Sequence, residues 1–353
     1  MKKTVFSSIV ALGLFSSLNA DVTVNSDAVK LKFNGVHYVG FTKFSDDLNS
    51  SKDSSKFEIR RSYLQVKAYF KEAPKSYFRV TLDATGSDGD ITTRFKYAYL
   101  YLDNILPYTG VEIGQAHRPW IDYEEHNAWH YRSISKVFVE AHEGAHLTNS
   151  ADRGINFKTK TANFSSELGV FNGEGYHDSQ VGDGLSKEWR LTWHTFGTGK
   201  EKHAKKYLNI SYFGQVNSEY KGRKDANGNL VDLVWSGVHA VYNQPEFLLA
   251  AQYVKVTDGD YDKAGSYKKV EGKGYSVNGE YRVTPKVALI AKYDKFEFDK
   301  DDSTKERKLG GVAYKYNKNV KFLFNITKEE GEDSAGVTDM DQTYTMLTAE
   351  VKW

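Results

Sequence analysis

Apolar and polar side chains alternate along this chain with period 2. In 76–84, Phe78, Val80, Leu82 and Ala84 oppose Tyr77, Arg79, Thr81 and Asp83. In 274–283, Tyr275, Val277, Gly279, Tyr281 and Val283 oppose Ser276, Asn278, Glu280 and Arg282. In 189–195, Trp189, Leu191 and Trp193 oppose Arg190, Thr192 and His194. Side chains of a β-strand point alternately to the two faces of a sheet, so each segment reads as a strand with one apolar and one polar face. Sixteen such segments follow one another: 29–44, 57–70, 76–84, 92–103, 111–117, 153–160, 164–171, 187–196, 206–216, 231–242, 246–256, 274–283, 286–296, 308–316, 320–328 and 343–353. In the last, Leu347, Ala349, Val351 and the final residue Trp353 share a face opposite Met346, Thr348, Glu350 and Lys352.

The connections alternate in length. Those at 72–75, 284–285 and 317–319 are short. Those at 46–56, 172–186, 222–230, 257–273, 299–305 and 329–342 are longer and rich in Gly, Asp, Ser and Lys. Short turns on one rim, long loops on the other and an even strand number predict an all-β fold, a transmembrane antiparallel β-barrel of about 16 strands. Its apolar face meets lipid and its polar face a water-filled lumen. Tyr and Trp near strand ends suit the interfacial girdles of such a barrel. A soluble sandwich would account for the aromatic faces, but most of the polar faces carry charge in mid-strand.

Residues 1–20 have the parts of an export signal: Lys2 and Lys3, a mostly apolar 5–18, and the small residues Ser16, Ser17 and Ala20. The expected organisation is therefore a signal peptide, 1–20, and one barrel domain, 21–353. Without the signal, Lys plus Arg falls from 48 to 46, equal to the 46 Asp plus Glu. A neutral chain argues for no nucleic-acid partner. The absence of cysteine excludes thiolate metal sites and cysteine nucleophiles. The expected location is the outer membrane of a Gram-negative cell, with its lipid as partner.

The longest break in the strand pattern, 118–152, follows the fifth strand on the long-loop side. A long internal loop in a compact domain is often functional, and from this position it can fold into the lumen. It and the adjoining His117 supply the candidate constriction residues His117, Glu124, Glu125, His126, His130 and Glu140. Half of the ten histidines lie between His117 and His146, which raises the prospect of pH-tuned conductance. His142-Glu143-Gly144-Ala145-His146 satisfies H-E-x-x-H, the zinc-protease pattern, but that chemistry needs both histidines on one helix face, and Gly144 weakens a helix. No metal or cofactor is expected.

Alternation places Arg61, Arg79, Lys158, Lys160, Arg190, Arg282, Lys292, Lys315, Lys321 and Lys352 on the inward face, against Asp83, Glu167, Glu188, Glu280 and Glu350. The strand-borne lumen is thus predicted to be basic. Between Glu112 and Arg153, however, seven acids face four Arg or Lys. Basic rings favour anions and acidic rings favour cations. A weak anion preference follows if facing arginines neutralise the loop acids.

Several segments resemble the phosphate-selective porin O and P family. Gly114-Gln115-Ala116-His117-Arg118-Pro119-Trp120 is similar to its G-Q-F-K-E-P-F segment, and Phe138-Val139-Glu140 to its F-M-E. Arg153-Gly154-Ile155 resembles its R-x-G strand start, and Leu168-Gly169-Val170-Phe171-Asn172-Gly173 its strand ending in F-N-G. Arg60-Arg61-Ser62-Tyr63-Leu64 is similar to its paired-arginine strand, and Tyr97-Ala98-Tyr99-Leu100 to its D-A-Y strand. The resemblance is densest over 57–176. It implies a 16-stranded homotrimeric porin whose third extracellular loop enters a pore that favours anions, phosphate among them. Arg60 and Arg61 then stand for the basic pair. His117, Arg118 and Ala116 replace the family's Lys, Glu and Phe.

The reading is thus a porin for passive diffusion of small hydrophilic solutes and ions, and not an enzyme. Its expected pore-lining, anion-binding residues are Arg60, Arg61, Arg79, Arg118, Arg132, Lys136, Lys158 and Arg190. A surface-exposed barrel with an adhesive or structural role is the alternative. A secreted zinc metalloprotease is the remote one.

Overall fold

The computed structural model describes residues 22–87, 90–178, 183–199, 205–263 and 265–353. The signal segment 1–20 lies outside them. Sixteen strands form one closed antiparallel sheet. They are β1 (Val29–Asp46), β2 (Ser54–Phe70), β3 (Tyr77–Ser87), β4 (Asp90–Leu106), β5 (Thr109–His117), β6 (Ala151–Lys160), β7 (Phe164–Phe171) and β8 (Ser186–His194). They continue as β9 (Tyr207–Asn217), β10 (Leu233–Asn243), β11 (Phe247–Asp258), β12 (Gly272–Arg282), β13 (Val287–Phe298), β14 (Thr304–Lys315), β15 (Val320–Glu332) and β16 (Thr338–Lys352). Every alternating segment of the sequence is one of these strands, with ends moved by a few residues.

Each strand pairs with the next, and β16 returns to β1 from Gln342 opposite Asp46 to Lys352 opposite Val36. Closure removes the free edges that lipid would not tolerate. Trp353 and Gly35 exchange two further backbone hydrogen bonds of 3.1 and 2.8 Å, and the Trp353 indole N–H donates to His37 Nε2 at 2.9 Å. Beyond that point a short strand, Val22–Asn25, pairs with 30–33 of β1 and covers its edge.

The outer face is apolar, with Leu249, Tyr253, Val277, Leu289, Val312, Phe324 and Ile326 all exposed. The inner face carries buried polar groups such as Ser211, His239, Gln252, Ser276 and Asn278. Strict alternation is broken at several places, and two of them, each with one extra residue, lie in the β1–β4 wall. Tyr38 and Val39 face Arg61 and Ile59, so Arg60 is the added residue of β2. Thr81 and Leu82 face Tyr97 and Phe95, so Lys96 is the added residue of β4. A bulge resets the two-residue period, which lets Arg60 and Arg61 both turn inward.

The connection 118–150 folds into the lumen and holds the seven-residue helix α1 (Ile121–Asn127) near its start. Its Trp120, Ile121, Trp129, Val137, Phe138 and Leu147 pack on inward side chains of β9–β15, among them Phe213, Trp235, Val254, Ile290, Phe296 and Leu323. Those strands are apolar on parts of both faces because one face meets lipid and the other meets this loop.

Candidate functional site

The loop closes one side of the lumen and leaves a passage on the other. A cavity of about 350 Å³ remains there. The wall contributes Tyr38, Tyr63, Gln65, Arg79, Lys96 and Tyr97 to its lining, and the loop contributes Asp122, Glu125, His126, His130 and Arg132. A larger cavity of about 800 Å³ lies nearer the short turns, beside Tyr77, Glu112, Lys158 and Arg190.

The wall of β1–β4 carries the cations. Lys32, Lys67 and Arg79 are successive cross-strand partners at one height. Like charges placed so closely repel each other, and aromatic faces offset this. Lys67 Nζ lies 4.7 Å from the Tyr77 ring centre, and the Arg79 guanidinium 4.4 Å from that of Tyr97. Lys96, 5% exposed, sits 4.9 Å over Tyr63. A ring face holds a cation in place without cancelling its charge. Above them, Arg60 donates to Glu58 at 2.9 Å, to Thr42 at 2.8 Å and to Thr348. Arg61 is paired with the fully buried Asp83.

The loop largely neutralises its own acids. Arg132 binds both Glu125 and Glu140, reaching the latter at 2.9 Å through Nη2. Lys136 adds a 3.7 Å contact to Glu140. Burial opposes the Glu140 charge, but Arg132 holds its carboxyl well below the usual range. Asp122 lies 3.5 Å from His117 Nε2 and 3.5 Å from His126 Nδ1. Burial again opposes the charge, and the two imidazoles keep the Asp122 carboxyl low. Asp122 in turn raises His126.

Several expected pore residues do other work. Arg118 is buried and bound to Glu188 at the root of the loop, away from the passage. Arg190 pairs with Glu167 at 3.0 Å, donates to the Pro119 carbonyl at 3.2 Å and stacks on Tyr123, so it anchors the loop. Lys158 reaches the lumen but is held by Glu112 at 3.2 Å and Glu167 at 3.4 Å. Glu124 points away from the passage and accepts from Trp120 Nε1 at 2.8 Å and from Gln252. The sixfold loop set therefore splits: Glu125, His126 and His130 line the passage, His117 stands at its edge, Glu140 lies behind Arg132, and Glu124 faces the wall.

Inward lysine and arginine side chains also bind loop carbonyls. Lys292 and Arg307 donate to Lys136 O at 3.0 and 3.2 Å, and Lys321 to His130 O at 3.2 Å. Asn278 and Tyr207 cap Ala128 O and Asn127 O at 3.0 and 2.7 Å. The alternation along the chain does not single out the cations Lys67 and Lys96. For Lys96 no linear signal exists, because a bulge shifts the alternation.

The zinc-protease reading does not survive. His142–Ala145 is a turn, and His146 has φ +50°, outside helical space. The two imidazoles stack on each other with centres 3.9 Å apart instead of lying along a helix face.

No protein-family model and no curated protein sequence matches this chain. Among solved structures it is similar to an anion-selective porin from Comamonas acidovorans, with TM-score 0.66 and 12% identity over 92% of this chain and 100% of that one. It is similar to OmpT of Vibrio cholerae, with TM-score 0.63 and 12% identity over 94% and 100%. Salmonella typhi OmpF, in complex with daunomycin, gives TM-score 0.63 and 13% identity over 94% and 100%. At such identities the likeness is one of fold, and the chain has the 16-stranded barrel architecture of these bacterial porins.

Proposed function

We propose that this protein is a channel of the Gram-negative outer membrane, made as a precursor with 1–20 as its export signal. It passes small hydrophilic solutes and ions down their gradients, with a weak preference for anions and phosphate as one permeant ion. The observation that carries the sign is the charge imbalance across the passage. Lys67, Arg79 and Lys96 line the wall, while Arg132 occupies Glu125 and Glu140 on the loop. Basic linings favour anions. The resemblance over 57–176 supports a homotrimer.

Planar-bilayer recording tests this reading. Purified protein should give conductance steps, grouped in threes for a trimer, and a reversal potential of anionic sign in a KCl gradient. The double variant Arg60→Ala/Arg61→Ala should lower the anion-to-cation permeability ratio roughly twofold. Absence of steps would refute the channel, and an unchanged ratio would remove the arginine pair from the pore. Absence of phosphate current in a phosphate gradient would remove phosphate as a permeant ion.

A further inference from the structure

His117 ends β5, where the loop begins, and it touches both signs of charge in the passage. Its Nε2 lies 2.9 Å from Arg79 Nη1 and 3.5 Å from an Asp122 carboxylate oxygen. Its Nδ1 lies 3.2 Å from Glu112. A guanidinium only donates, so at 2.9 Å Nε2 must be the acceptor. The proton of the neutral ring is then on Nδ1 and points to Glu112.

We propose that His117 is a positioning residue that holds Arg79 when neutral and releases it into the passage when protonated, so that the ion preference of the pore follows one imidazole. The inference rests on the channel reading above and names its regulation.

A protonated Nε2 can no longer accept from Arg79 and repels it. The same N–H faces Asp122 and cancels a carboxylate of the loop. The ring's own charge and the cancelled carboxylate make the passage more positive, and the repulsion moves the Arg79 charge further into it. The groups packed around the ring come from every neighbouring element. The Tyr97 ring lies tilted against it with centres 4.2 Å apart, and Tyr99 meets it edge-on at 5.4 Å. Lys67 is the cross-strand partner of Arg79, and Lys158 bonds the Glu112 carboxylate at 3.2 Å. From α1, His126 flanks Asp122. Imidazole is the unperturbed side chain that changes charge between about pH 5 and 8.

The test is reversal potential in a KCl gradient across that pH range, on the full protein in planar bilayers. The anion-to-cation permeability ratio should rise roughly twofold on acidification. In His117→Gln, the amide oxygen can still accept from Arg79 and the amide N–H can still donate to Glu112, but neither titrates. This variant should conduct with the alkaline ratio at every pH. Arg79→Gln should conduct and lose at least about half of the pH-dependent change, since the released cation is gone. A merely structural His117 would leave the pH profile in place. Conducting pores with a flat wild-type ratio, or a His117→Gln profile like the wild type, would overturn this inference alone. No conductance at any pH would overturn the channel reading and this inference with it.

Discussion

Lys96 and Lys292 bring the same ammonium into the same lumen. Lys96 rests on the Tyr63 ring at the open side of the passage. Lys292 lies behind the loop, on the Lys136 carbonyl and 3.5 Å from Asp294. A field acts on a passing ion through the charge that remains uncancelled along its path. Lys96→Gln should therefore lower the anion-to-cation permeability ratio roughly twofold. Lys292→Gln should change it little and instead loosen the loop, seen as faster amide exchange around Lys136. Equal effects on selectivity would refute this division. Counting inward lysines along the chain could not separate them. Their roles depend on whether the loop lies on top of them, and that is a contact between residues 156 apart.

At the scale of the element, the loop is a folded part with its own ion-pair centre, and it is docked by wall side chains onto its carbonyls. Glu124 sits at that interface, and burial pushes it up to about 7. A carboxyl raised in the docked state holds its proton more tightly there than in water. Docking is then most favourable below the ordinary carboxyl range, and the gain is lost as pH rises through about 7. Amide protection over α1, corrected for intrinsic exchange, should fall by more than about tenfold between pH 5 and pH 8. Glu124→Gln should abolish that pH dependence, and persistence of it would exclude Glu124 as the cause. The loop itself was legible as the one long interruption of the strand period. Its acids read as a cation filter competing with a basic wall. In the fold Arg132, on the same loop, engages two of them, because turns at 131–135 and 137–141 fold Glu125 and Glu140 back on it.

For the whole molecule, stability depends on the seam where β16 meets β1. Gly40 stands opposite Thr348, and a Cβ there would run into the Leu347 carbonyl oxygen and lie 3.0 Å from Thr348 Cα. Neither is a side chain that can move aside. Gly40→Val should cost about 3 kcal/mol and lower the temperature at which the folded band disappears in semi-native electrophoresis. Gly310→Ala, with no atom within 4 Å of the added methyl, should leave it unchanged. Equal behaviour of the two would show that the seam is not limiting.

Strand number, the apolar exterior and the place of the inserted loop could all be read along the chain. Each follows from a two-residue period or its interruption, which neighbours in sequence express without reference to the rest of the fold. The charge of the passage could not be read in this way. It depends on two bulges that shift the period at Arg60 and Lys96, and on which wall the loop covers. It also depends on ion pairs such as Arg118 with Glu188, made between residues 70 apart. Electrostatic cancellation acts through space over a few ångströms, and only barrel closure sets those distances.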